Sequence, residues 1–78
     1  MTRSELYELV TKVISDTFAY PQDGISEDTV AEDVDGWDSL KHTILMVRLQ
    51  RAVGVTFPES IAEAGNVAEL VDRIHALL

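Results

Sequence analysis

The chain has no cysteine, so it can build neither a disulfide framework nor a thiolate metal site. Basic residues are scarce: six Lys and Arg stand against fourteen Asp and Glu, for a formal net charge of −8. That balance argues against nucleic acid as a partner, because such binding relies on Lys and Arg neutralising phosphates. It favours basic protein surfaces instead. Long apolar runs are also missing; nothing approaches the roughly 20 residues of a membrane span or the pattern of a signal peptide, so a cytoplasmic protein without membrane association is expected. Interior space is limited too. A domain of 78 residues buries only about 60 to 65% of its unfolded surface, too little for a deep enclosed catalytic pocket. A single non-catalytic domain spanning 1–78 is the expectation, and a start at Met1 with a stop just after the last helix favours a discrete protein.

The charge that is present is unevenly placed. Residues 1–22 sum to −1 and residues 54–78 to −3, whereas residues 23–38 hold seven acids (Asp23, Glu27, Asp28, Glu32, Asp33, Asp35, Asp38) and no base. Residues 39–53 reverse the sign, with Lys41, Arg48 and Arg51 and no acid.

Apolar spacing predicts an all-α fold, a small four-helix bundle of three longer helices and one short one. Thr2 and Glu5 fit a capping box, and Leu6, Leu9, Val10, Val13, Ile14 and Phe18 recur at helical spacing, giving a first helix from Arg3 to Ala19 that Pro21 stops. The stretch from Pro21 to Asp38 is a long acidic loop, with a short helical turn expected near Glu27 to Ala31. Ile25, Val30, Val34 and Trp37 supply anchors that pin it to the core. A second helix is predicted from Ser39 to Val53, burying Leu45, Leu49, Val53 and one of His42 or Met46, with Gly54 as terminator. Pro58 suits the first turn of a short third helix ending near Ala64. Asn66 and Glu69 form a second capping box, and Val67, Leu70, Val71, Ile74 and Leu78 stripe the fourth helix. Val53 to Phe57 could be a strand, but it has nothing to pair with.

The candidate chemistry converges on Gly36-Trp37-Asp38-Ser39-Leu40. Asp38 is placed to cap the second helix, so Ser39 starts it, where unpaired backbone N–H groups and the helix dipole favour an anion. A phosphoester on the Ser39 hydroxyl suits that position. Ser39 as a plain capping residue is the bland alternative. A hydrolytic pairing of Ser39 with His42, three residues on, lacks an oxyanion hole and a substrate pocket. A calcium loop beginning at Asp33 fails too, since glycine falls at its fourth position and Ile44 at its twelfth. Leu40, Thr43, Ile44 and Val47 cannot all share the buried side with Leu45 and Leu49, so apolar surface is expected to remain exposed beside Ser39. His75 is expected at the surface or its boundary.

Asp38-Ser39-Leu40, followed by an apolar helix and Gly54-Val55-Thr56-Phe57-Pro58, resembles the acyl carrier proteins over nearly the whole chain. The resemblance implies a covalent 4′-phosphopantetheine arm on Ser39, transferred from coenzyme A by a phosphopantetheinyl transferase with Mg²⁺, with Asp38 and His42 beside the attachment point. It implies further partners: an acyl- or aminoacyl-loading ligase or transferase, and downstream enzymes that accept the thioester-bound cargo from a monomeric carrier. Apolar cargo is expected to fold back between the second and third helices. One departure stands out. Many carriers of bacterial fatty-acid synthesis present acids along the helix after the serine, whereas this helix presents Leu40, Lys41, Thr43, Ile44, Val47, Arg48 and Arg51. The resemblance therefore points to a specialised carrier whose partners pack on Leu40, Ile44 and Val47. Trp37 and His42 are similar to residues of discrete carriers, some of them loaded with amino acids or small hydroxy acids. Two other classes stand beside it: a small acidic interaction module that is never modified, and a carrier excised from a modular synthase rather than a discrete protein.

Overall fold

The computed structural model describes residues 1–78. It is all-helical: α1 is Arg3–Phe18, α2 Ser39–Val53, α3 Glu59–Ala62 and α4 Val67–His75. No segment is a strand, Val53 to Phe57 included, and no helix is long and apolar enough to cross a membrane.

The start of α1 is as its sequence predicts. Glu5 N–H donates to Thr2 Oγ1 at 3.1 Å and Thr2 N–H to Glu5 Oε1 at 2.8 Å, a reciprocal capping box. Hydrogen bonding to the carboxylate, from the Thr2 backbone N–H first and from the Thr2 side chain second, holds the Glu5 carboxyl below its ordinary range. The helix ends one residue earlier than predicted, at Phe18, because Ala19 turns left-handed (φ 51°). From α1, Leu6, Val10 and Ile14 meet Leu45, Met46 and Leu49 of α2, Ile61 of α3, and Val67, Leu70, Val71 and Ile74 of α4 in one buried core.

For α2, Met46 is the buried alternative and His42 is half-buried, as is Val53. Gly54 closes the helix at φ 83°, in the left-handed region where glycine lacks the Cβ penalty. Pro58 precedes the four-residue α3 as its N-cap rather than opening its first turn, and the helix stops at Ala62 rather than Ala64. In α4 the box is half formed: Asn66 Oδ1 accepts from Glu69 N–H at 2.8 Å, but the Glu69 carboxylate turns to Arg73. Leu78 lies beyond the helix and is exposed, so the stripe ends at Ile74.

The acidic loop is ordered against the core, with Ile25 and Val34 buried and Val30 and Trp37 half-buried. Its turns differ from the expectation: short 3₁₀ turns form at Gln22–Gly24 and Ala31–Asp33, while Glu27 and Asp28 lie in a non-helical turn closed by Thr29 N–H to Ser26 O (3.2 Å). Residues 27–29 do something else. Their carbonyls cap α4, since Val67 N–H donates to Thr29 O (3.0 Å) and Ala68 N–H to Glu27 O (2.9 Å). Arg3 adds a cross-tie by pairing with Glu27 (2.5 Å) and Asp72 (2.6 Å), and those carboxylates raise its guanidinium above the ordinary range.

Candidate functional site

The loop delivers Asp38 to the start of α2 in extended conformation, and Asp38 Oδ1 accepts from Lys41 N–H at 2.8 Å. Its carbonyl accepts from His42 N–H at 2.9 Å. Two first-turn donors are thus satisfied, while the N–H groups of Ser39 and Leu40 have no protein acceptor. Ser39 is exposed and its hydroxyl makes no hydrogen bond within the protein. An unencumbered hydroxyl therefore sits beside two free N–H donors at the positive end of a fifteen-residue helix. This donor set fits a phosphoester on Ser39, whose oxygens would have those amides to accept from.

Neither ring nitrogen of His42 bonds that hydroxyl. Trp37 Nε1–H donates to His42 Nδ1 at 3.0 Å, so Nδ1 is the acceptor and the ring proton resides on Nε2, which donates to the Ala62 carbonyl at 2.8 Å. Both ring nitrogens are committed, leaving neither to serve Ser39 as a base. Trp37 also stacks on Phe18 with centroids 4.8 Å apart. The chain Phe18, Trp37, His42, Ala62 thus links the end of α1, the loop, α2 and α3.

Trp37 and His42 form a wall with two sides. Outside lies an open depression shared with Ala31, Asp38, Ser39 and Thr43. Inside lies a cavity of about 60 Å³, bordered by Thr29, Ile61, Ala64 and Leu70 among others. It sits beneath α3 against the loop and α4, with His42 the sole contribution of α2.

Of the other residues singled out in the sequence, Leu40, Lys41, Thr43, Ile44, Val47, Arg48 and Arg51 are all exposed on α2. Leu40 is 69% exposed, Val47 42% and Ile44 37%, so an apolar strip does run from Ser39 along the helix. Thr43 returns its hydroxyl to the Ser39 carbonyl at 3.1 Å. His75 is exposed. The loop acids do not converge: no three His, Cys, Asp or Glu side chains come together as a metal-ligand set. The sequence alone does not point to the Ala62 carbonyl or Phe18 as parts of the site. Only the Trp37 and His42 spacing across a helix start hints at their contact.

A search among curated proteins returns no significant match. Comparison with protein families does: residues 8–74 match the family described as "Phosphopantetheine attachment site". That family is of the acyl carrier protein type, and its domain holds 4′-phosphopantetheine covalently on a serine. With the match covering most of its length and an all-helical fold around one exposed helix-start serine, the chain belongs to the phosphopantetheine-attachment family of carrier domains.

Proposed function

We propose that Ser39 is the attachment serine and that the domain carries an acyl or aminoacyl cargo as a thioester on its phosphopantetheine arm. The observation that carries this reading is the free Ser39 hydroxyl beside the unpaired N–H groups of Ser39 and Leu40. The other serines suit the role less well. Ser4 lies outside the matched residues, the Ser15 hydroxyl donates to the Tyr20 carbonyl, and the Ser26 hydroxyl faces Thr29 Oγ1. Ser60 lies in the four-residue α3, too short a helix to present the N-terminal field that the fifteen-residue α2 gives Ser39.

In this reading a phosphopantetheinyl transferase takes the proton from the Ser39 hydroxyl as its oxygen bonds to the β-phosphate of coenzyme A and the pyrophosphate bond breaks, with adenosine 3′,5′-bisphosphate as the leaving group. Asp38 keeps the first turn of α2 formed. Trp37 and His42 wall the depression next to the attachment oxygen. The bound arm supplies a thiol that holds cargo as a reactive thioester at high local concentration near a docked enzyme. Loading ligases and acyl-accepting enzymes approach over Leu40, Ile44 and Val47, and the acidic loop steers those with basic surroundings. The small interior cavity beneath α3 favours short cargo as the kind that can be sheltered: one water needs about 10 to 15 Å³ of such space, so about 60 Å³ admits only a few heavy atoms.

Intact-protein mass after incubation with coenzyme A, Mg²⁺ and a broad-specificity transferase tests the assignment. Wild type is expected to gain one phosphopantetheine and Ser39→Ala none. An equal gain by Ser39→Ala moves the site to another serine. No gain on folded wild type, beside a carrier modified in parallel, makes an unmodified acidic interaction module the better account.

A further inference from the structure

We infer that the exposed face of α2 receives an enzyme surface whose apolar patch is bordered by Asp and Glu side chains. Leu40, Ile44 and Val47 follow one helical row at i, i+4, i+7, and Lys41, Ile44, Arg48 and Arg51 follow the row beside it, so apolar and cationic side chains share one face. α2 has no Asp or Glu along its length, in a chain with fourteen of them.

The fold has not neutralised these cations. Every ion pair in the protein is made by Arg3 or Arg73, with Glu27, Asp72 and Glu69. Lys41 and Arg51 touch no carboxylate, and the polar contact of the Arg48 side chain is a bond of 3.3 Å to the Thr17 hydroxyl. Helix electrostatics explains only one of the three. Arg51 lies in the last turn, where the dipole favours a cation, but Lys41 lies in the first turn, where it does not. Asp38 gives its carboxylate to the Lys41 amide, with no ion pair to the Lys41 ammonium.

Three unpaired cations bordering an exposed apolar strip complement a partner carrying carboxylates around its own apolar patch, and they oppose one carrying Arg or Lys there. Asp38 caps α2 at the Ser39 end while Arg48 and Arg51 lie in its second half, so the two signs are displaced along the helix and define an orientation for docking. This inference rests on the carrier reading above, with the enzyme approaching the face next to Ser39.

The test is a charge-swap cycle on the holo protein, with one phosphopantetheine first verified by mass. Failure at that step counts against the carrier assignment and leaves the surface inference separate. The probe is an acyl–carrier ligase with arginines on its carrier-docking face, together with the same ligase after those arginines are changed to glutamate. The carriers are wild type, Lys41→Glu/Arg48→Glu/Arg51→Glu, and the neutral Lys41→Gln/Arg48→Gln/Arg51→Gln as a version that adds no negative charge to the fold. Wild type is expected to be loaded about tenfold more efficiently by the glutamate ligase than by the arginine ligase, with the change in KM. The Glu carrier should show the reverse order and the Gln carrier little preference. The same order of ligases for all three carriers overturns the inference. So does a concentration-dependent dimer of wild type that the Gln carrier loses, measured by light scattering after gel filtration, since the face would then be covered by a second copy.

Discussion

Trp37 donates its indole N–H to His42 Nδ1, and that bond decides where the imidazole proton sits, because an accepting Nδ1 leaves Nε2 as the donor to Ala62. The consequence reaches α3, which has four residues and too few internal hydrogen bonds to hold itself. Trp37→Phe keeps a ring against Phe18 but removes the donor. It should cost about 0.5 to 1.5 kcal/mol in a urea titration, the usual net worth of one hydrogen bond. Amide exchange should accelerate selectively at residues 59–64, since an unheld imidazole no longer fixes the Ala62 carbonyl. Unchanged exchange there would mean that α3 is held by Ile61 packing alone. Ser39→Ala is the internal contrast: its hydroxyl has no protein partner, so stability should stay within about 0.5 kcal/mol of wild type. The residue that holds the site together and the residue proposed for attachment are separable by this pair.

Helix ends show what local sequence can and cannot specify. Thr2 with Glu5, Asp38 and Gly54 are readable because a cap needs only residues a few positions apart. The exit from α1 falls one residue before its predicted place because Ala19 enters the left-handed region without being glycine, which propensity does not anticipate. Its cost can be weighed against that of Gly54. Left-handed backbone costs a non-glycine residue about 1 to 2 kcal/mol, while glycine loses about 0.4 to 1 kcal/mol through the freedom of its unfolded chain. The first effect is larger, so Ala19→Gly should stabilise by about 0.5 kcal/mol, raising Tm by about 2 to 4 °C in a domain of this size. Gly54→Ala should destabilise by a similar or larger amount, and the loss is a backbone effect because nothing lies within 4 Å of the added Cβ. Opposite signs in paired calorimetric scans are the expected outcome; a fall in Tm for both would show that unfolded-state entropy, or a contact of the Ala19 methyl, outweighs the strain.

At the scale of the whole molecule, the four-helix order and most of the core follow from apolar periodicity, whereas the loop turns, the short α3 and the partners of His42 do not. Those features are set by contacts between distant segments: Glu27 and Thr29 carbonyls cap α4 some 40 residues away in sequence, and His42 reaches Ala62. Once residues 27–29 are recruited to that cap, the helical turns form on either side of them, at Gln22–Gly24 and Ala31–Asp33. Proximity in space also governs the net charge. Seven acids lie between residues 23 and 38 with no base among them, and one of the seven, Glu27, has an ion-pair partner. Screening weakens this repulsion and the three ion pairs alike, but the pairs are partly exposed at both partners, a setting in which each contributes little. Repulsion therefore outweighs the pairs, and added salt should stabilise the fold. From about 10 mM to about 150 mM KCl the Debye length falls from roughly 30 Å to 8 Å, and Tm followed by circular dichroism should rise by a few degrees. A fall in Tm over that range would make the Arg3 and Arg73 pairs the dominant electrostatic influence on stability. The Lys41→Gln/Arg48→Gln/Arg51→Gln variant, which removes the only cations of α2, should show a steeper rise than wild type from a lower starting Tm.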